Sequence, residues 1–517
     1  MSQASSAPVS PVADKAMEGG ALWIAALALA AANFVAVLNL TLANVAVPHI
    51  AGSLGAAASQ STWVITAYAV GEALTVPLTG WLASRFGAVR VFSTALALFG
   101  LVSLACGLSP SLPTLVAARI LQGLCGGPLM PLSQTLLMRI FPKEKVGSAI
   151  GVWSMTTLVA PVLGPILGGW LCDNYSWHWV FVLNAPFAVL FSLFAWNLLK
   201  RYTEPLSRNG IDKVGLVLLV VWVGALQILL DKGKDLDWFS SGIIVALTVV
   251  AVVGFAAFVI WELNDENPIV DLRVFRHRGY AIALLTLCLT YAAYFAVNVL
   301  TPQWLQTYMG YTATQSGMAT AGTGLASFLM APLVTTLSDR VDKRALVFFG
   351  VTWMGLMTLW RSVATTDMAF GNIALPLICM GIAMPFFFLP TTRVAMASVD
   401  VAEMASAAGL MSFVRTLSGA FAASVVTTSW SDQITRNHAE LVGLTDSDRS
   451  VQTMLAHQGM SPDAILQALD GLVSGQSVML ATNQLMTCIG IMFLLAGGFI
   501  WLAPKPANVA MPAGGGH

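Results

Sequence analysis

The chain has 517 residues, of which 57% are hydrophobic and only 10% charged, whereas a soluble globular protein is about a quarter charged. Its apolar residues come in runs long enough to cross a bilayer, which takes about 20 residues of helix, and this excludes a soluble core of buried helices. The formal net charge of zero says nothing about partners, but its distribution along the loops does.

Residues 1–20 are a polar, Ser/Pro/Ala-rich tail, and the apolar stretch after it is too long for a signal-peptide core, so it reads as a retained first helix. Predicted spans then run 22–47, 60–82, 91–108, 113–138, 147–171, 178–199, 213–231 and 241–262. Six more follow at 279–305, 314–337, 345–363, 370–392, 403–429 and 480–503, with a second tail at 505–517. These segments are apolar on nearly every face, unlike the alternating strands of a barrel, so the chain is an all-α integral membrane protein of fourteen transmembrane helices.

With the N-terminus in the cytoplasm, the loops on that side hold Lys15, Arg85, Arg90, Arg139, Lys143, Lys145, Lys200, Arg201, Arg208 and Lys213. They also hold Arg273, Arg276, Arg278, Arg340, Lys343, Arg344, Arg393 and Lys505. The opposite side keeps only Lys232, Lys234, Arg361, Arg436 and Arg449. The positive-inside rule predicts this bias for an even helix count with both termini cytoplasmic. The six cysteines lie in or beside apolar segments without a Cys-x-x-Cys pair and read as packing residues.

The basic loop after the second helix, Gly80-Trp81-Leu82-Ala83-Ser84-Arg85-Phe86-Gly87, has a counterpart after the tenth, Leu337-Ser338-Asp339-Arg340-Val341-Asp342-Lys343-Arg344. Aligning the two matches helices 1–6 with 9–14 and leaves 7 and 8 as an insert, a repeat of the kind that flanks a central transport site. The expected division is an N-terminal bundle over 21–200, the insert over 201–262 and a C-terminal bundle over 263–504. The last contains a polar segment, 430–479, expected outside the cell membrane, where Ser461-Pro462-Asp463 reads as a helix start. Such an amphipathic segment docks either on its own transporter or on a partner.

Helix 2 carries Glu72, with Tyr68 and Thr75 on the same face, and helix 4 carries Arg119 with Gln122 and Gly123 on one face. An arginine inside a membrane costs about 2.5–3.5 kcal/mol on insertion scales, so it must face protein or water and find a partner. Arg119 is therefore either a structural anchor or a lever on the proton affinity of Glu72, and Glu72 is either a coupling carboxyl or a helix tie.

Helix 5 contains Ala160-Pro161-Val162-Leu163-Gly164-Pro165-Ile166-Leu167-Gly168-Gly169, where Gly164 and Gly168 admit a close neighbour and Pro165 permits a bend. Tyr291, Tyr294, Asn298 and Thr301 form a polar-aromatic stripe on helix 9 that should face a cavity or another helix. Met384 and Phe386–Phe388 of helix 12, Phe387 among them, offer soft contacts for varied ligands or ordinary packing. Arg415 in helix 13 is a second intramembrane arginine, open between substrate contact, gate and anchor.

These features resemble the fourteen-helix drug:proton antiporters of the major facilitator superfamily, and among them the EmrB-type exporters. The resemblance covers nearly the whole chain, including Leu42-Ala43-Asn44-Val45-Ala46-Val47-Pro48, Thr62-Trp63-Val64-Ile65-Thr66, the Arg119 motif, Gly164-Pro165, and Leu230-Asp231-Lys232-Gly233-Lys234 of the insert. It implies two pseudo-symmetric six-helix bundles with alternating access, export of hydrophobic or amphipathic compounds, and inward proton flow as the driving reaction. It also implies the inner membrane of a bacterium, a periplasmic EmrA-type adaptor and a TolC-like outer-membrane channel. No cofactor and no nucleic acid enter this picture.

Glu72 and Arg119 are the expected proton-coupling pair, Glu72 taking over from the absent helix-1 aspartate, with weak or absent proton coupling as the alternative. By that resemblance Pro161, Gly164, Pro165, Gly168 and Gly169 form the antiporter motif. Tyr68, Gln122, Tyr291, Tyr294, Asn298, Phe387 and Arg415 line the substrate cavity, and Gly80, Arg85, Gly87, Asp339 and Arg340 form the gating loops. Two departures stand out. The helix-1 motif carries Asn39, followed by Thr41 and Asn44, where the family usually has an aspartate, so that position cannot titrate; Ser84 likewise replaces an aspartate. No metal cluster, phosphate-cradling glycine loop or nucleophile with a base stands out, so an enzyme or ATP-driven pump has little support. A symporter or uniporter of the same fold and a membrane receptor remain the competing readings.

Overall fold

Local chemistry starts several helices of the computed structural model. Asp212 and Asp342 accept backbone N–H bonds at helix N-termini, while Ser111 with Thr114 and Thr312 with Gln315 close reciprocal capping boxes. The structure describes residues 19–56, 63–142, 146–201, 212–265, 268–366, 368–400, 403–447 and 461–504. Lys15, Lys143, Lys145, Arg208, Arg449, Lys505 and both terminal tails lie outside the described residues.

Among the described residues fourteen helical rods follow one another. The first eight are α1 (Gly20–Leu54), α2 (Trp63–Thr75 then Thr79–Phe86), α3 (Ala88–Gly107), α4 (Leu112–Gly126 then Leu129–Ile140), α5 (Val146–Asn174), α6 (His178–Val182 then Asn184–Leu199), α7 (Lys213–Lys232) and α8 (Gly242–Asn264). The rest are α9 (Arg278–Thr307), α10 (Ala313–Leu337), α11 (Lys343–Arg361), α12 (Phe370–Ala397), α13 (Met404–Ser447) and α14 (Pro462–Phe499). Eleven of the described rods contain a stretch long and apolar enough to cross a membrane. Each rod matches one predicted span.

The largest difference lies at 430–479, expected as a polar external segment with a helix start at Ser461 and a membrane span only from 480. α13 instead continues to Ser447, and α14 starts at Pro462 with Ser461 as its N-cap; residues 448–460 lie outside the described ones. The two extensions pack on each other, with Asn437 Nδ2 donating to Ser477 O at 3.3 Å and to Gln484 Oε1 at 3.2 Å. Hydropathy falls where a helix leaves the bilayer, but helical hydrogen bonding does not, so polarity alone misplaced the ends. The loop expected at 80–87 is likewise mostly helix, Thr79–Phe86, closed by Gly87 at φ 88°, a backbone angle that favours glycine.

α1–α6 pack among themselves, as do α9–α14. Both groups cross their second and fourth helices through glycine. A Cβ on Gly123 of α4 would strike the carbonyl of Tyr68 in α2, and one on Gly381 of α12 would strike Thr323 of α10. Thr323 and Ser327 add hydroxyl bonds to Leu377 O and Gly381 O, at 3.1 and 2.7 Å. Such contacts weld helices where lipid supplies no hydrophobic drive.

Two seams join the groups. α5 lies along α10, with Thr314 donating to Asp173 at 2.5 Å, and α13 crosses α2 and α4. The inserted α7 touches both sides of the second seam: Thr66 of α2 donates to Asp231 at 2.6 Å and Ser424 of α13 donates to Leu230 O at 2.5 Å.

Candidate functional site

Arg119 is fully buried in the N-terminal group. α4 carries it to the level of Asn39 on α1, where Nη1 donates to Asn39 Oδ1 at 2.8 Å and to Gln122 Oε1 at 2.7 Å, while Nε donates to Val64 O at 2.9 Å. The Tyr68 ring lies 4.4 Å from the guanidinium carbon and Phe181 lies 5.5 Å away, a cation–π cradle in place of solvent. The expected Glu72–Arg119 pair is not closed: among the described residues no ion pair joins them. Gln122 and Tyr68, expected in a substrate cavity, are buried parts of this nest instead. The reason is helical spacing. Gln122 lies one turn from Arg119 and bonds it, and Tyr68 is held against Gly123.

Glu72 is half-buried on α2. Its charged neighbours are Arg415 of α13 first and Arg119 second, and Tyr68 and Tyr291 also feel its charge. Arg415 is half-buried, with Met130 Sδ as a partner of its Nη2 and the Tyr291 ring 5.8 Å away. Beside it lies a small void of about 10 Å³, lined by Gln134, Trp153, Leu287, Phe388, Thr392, Met411, Ser412 and Arg415, room for about one water. Residues of both helical groups meet there. A wider open hollow, about 670 Å³, lies at the end of α1 and the starts of α2 and α4, near Ser53, Trp63 and Pro113.

Of the helix-9 stripe, Tyr291 reaches Arg415, while Asn298 turns back to donate to Tyr294 O at 2.8 Å. Thr301 is buried and accepts from Arg361 at 2.8 Å. Phe387 is a correction: it is fully buried in the C-terminal core, and its neighbour Phe388 lines the void. One residue along a helix is a rotation of about 100°, enough to exchange core for cavity. Gly164 is packed on Thr41, whose hydroxyl also reaches Ala160 O at 3.4 Å, and Gly168 lies on Leu42, so the glycine motif forms the α1–α5 contact. Gly169 is buried in the same helix; the side chains of Pro161 and Pro165 lie outside the described ones. Asn44 sits half-buried on α1.

At the loops, Asp339 pairs with Arg393 of its own bundle at 2.6 Å, Arg340 is exposed, and Gly80 has open space around it. Arg85 is half-buried at the end of α2. Two participants carried no sequence signal: Gln134 and Trp153, whose indole donates to Ser133 Oγ at 2.9 Å. A third, Arg361, stands among the outer-loop charges in the sequence and is buried at the end of α11; its spacing from the apolar face of that helix was the available clue.

The Major Facilitator Superfamily profile matches residues 29–423. The chain belongs to the major facilitator superfamily. Within it, the chain is 40% identical over 508 residues to the multidrug export protein EmrB of Escherichia coli K12, covering 97% of this chain and 99% of that protein. It is 39% identical over 505 residues to the fatty acid resistance protein FarB of Neisseria gonorrhoeae, at 97% and 99% coverage. A bacterial homologue of the human lysosomal transporter Spinster, solved inward-facing and unoccupied, superposes with a TM-score of 0.58 at 16% identity, over 95% of this chain and all of that one. That likeness carries the fold alone. In this superfamily member the two helical groups, the seams and the buried arginine thus stand on a shared scaffold, and the chain is an EmrB-type, multi-pass membrane transporter.

Proposed function

We propose that the chain exports small amphipathic or hydrophobic molecules from a bacterial cell against inward proton flow, by alternating access between bundles at 21–200 and 263–504. The observation that carries this reading is Glu72, a membrane-embedded carboxyl on one bundle whose first charged neighbour, Arg415, sits on the other. When the bundles rock, the distance between these groups changes, and with it the proton affinity of Glu72, under the steadier field of Arg119 and beside Tyr68 and Tyr291. Arg119, held by neutral amides, fixes the positive potential of the N-terminal bundle and does not titrate with Glu72 as a closed pair.

The void beside Arg415 is where the carried molecule binds once the bundles open, with Tyr291, Trp153 and Phe388 offering faces to an apolar body and Arg415 and Gln134 offering donors to a polar end. Gly164 against Thr41 and Gly168 against Leu42 let α1 and α5 slide without side chains in the way. The glycine turn at Gly87 with Arg85, and the Asp339–Arg393 tie with Arg340, act at the cytoplasmic ends. The relatives' names, multidrug export and fatty acid resistance, support export of this class of molecule.

The placement we infer is the inner membrane with both termini cytoplasmic. The extended ends of α13 and α14 then project outward to meet a periplasmic adaptor that leads to an outer-membrane channel. The driving force suffices: one charge crossing about 100 mV yields about 2.3 kcal/mol and each pH unit adds about 1.4 kcal/mol. Efflux from proteoliposomes with imposed pH gradients tests the reading. Accumulation should follow the gradient and collapse when it is dissipated; transport indifferent to the gradient identifies a uniporter, and no flux at all a receptor.

A further inference from the structure

Around Arg119 the donors outnumber the acceptors. Its Nη1 and Nε use Asn39 Oδ1, Gln122 Oε1 and Val64 O, and the thiol of Cys106 leans on the same Gln122 oxygen at 3.6 Å. Three buried nitrogens are left without an acceptor: Arg119 Nη2, Asn39 Nδ2 and Gln122 Nε2. Each belongs to a guanidinium or amide whose other atom is already in the cluster, so all three crowd around Nη1. All three side chains are fully buried.

The charge is as uncompensated as the donors. Among the described residues no carboxylate forms an ion pair with Arg119; the charge of Glu72 acts on it only through space and is shared with Arg415. A buried cation without a counter-charge is costly, and removing a carboxylate from such a position leaves that cost standing. Water would bring lone pairs but no charge, and so would leave the guanidinium without a counter-ion. An organic anion has no entry beneath the Tyr68 and Phe181 rings. The missing partner is therefore small, anionic and free of donors.

We propose that a chloride ion binds among Arg119 Nη2, Asn39 Nδ2 and Gln122 Nε2 and serves as the counter-ion of the buried arginine. Asn39 is then an anion ligand, and the helix-1 amide fits the site because it donates where a carboxylate would repel the ion. This goes beyond the export reading and needs none of it, since binding is measured without transport.

The test is thermal unfolding of the purified full-length protein in sodium chloride and in sodium gluconate at equal ionic strength. The midpoint should rise saturably with chloride, as ligand linkage requires, and bromide should replace chloride where gluconate and sulfate do not. Asn39→Asp places a fixed carboxylate at the site and should unfold at the same midpoint in both salts; Gln122→Glu provides the same comparison should the first variant fail to fold. Equal midpoints for wild type in chloride and gluconate would overturn the proposal in favour of water. A chloride shift undiminished in both carboxylate variants would also overturn it, by placing the ion elsewhere.

Discussion

Arg119 and Arg415 are both arginines in the membrane, and they are held in opposite ways. Arg119 is sealed inside one bundle, forked across two amides and a carbonyl and cradled by two rings. Arg415 stands half-buried at the seam with a thioether and an aromatic face for company. Dense bonding inside a bundle marks a charge that must not move. Sparse bonding at a surface between bundles marks a charge free to exchange partners, and Glu72 on the other bundle lies within its electrostatic reach.

The sharpest way to break this contrast is to remove each guanidinium in turn. Arg119→Ala takes the donor from three buried acceptors of the nest, at about 1–3 kcal/mol for each one left unsatisfied, and should abolish monodisperse protein on size exclusion and lower the unfolding midpoint severely. Arg119→Lys keeps the charge but not the planar fork, and should fall between. Arg415→Ala should leave the unfolding midpoint close to wild type while lowering efflux about ten- to a hundredfold, as loss of one charge-assisted contact of ~1.5–3 kcal/mol implies. If it destabilises the protein as Arg119→Ala does, the two arginines share a structural role and the contrast fails.

The bundles can then be compared at their matched glycine crossings. Gly123→Ala and Gly381→Ala each drive a Cβ into a backbone, α2 in one case and α10 in the other, and each should cost about 1–3 kcal/mol in thermal or denaturant unfolding. Similar losses in both would support a duplicated design. Smallest is Thr66→Val at the insert, which deletes one bond to Asp231; a loss of about 1 kcal/mol is expected, with efflux preserved if α7 only staples the seam.

Much of this was legible in the chain before folding. Long apolar runs fix rods, their spacing fixes fourteen of them, and an intramembrane arginine announces that it needs partners. Which partners it takes is a matter of three-dimensional register: Asn39, Arg119 and Gln122 lie on two helices whose relative depth no hydropathy pattern encodes. The expectation that Arg119 acts on Glu72 rested on both being ionisable; the two are electrostatic neighbours without a closed ion pair, and Arg415 of the other group acts on Glu72 as well. Phe387 and Phe388 differ by one step along α12 and trade core for void. The ends of α13 and α14 escaped because the solvent beyond a membrane makes polar helix and polar loop look alike in composition.

The account turns on Glu72 as the group that carries the proton, and its most direct test is proton flux itself. In proteoliposomes holding a pH-sensitive dye, adding a transported compound to wild type should move protons opposite to it. Glu72→Gln, folded and still binding the compound, should move none. Undiminished substrate-driven proton movement in Glu72→Gln would contradict the account.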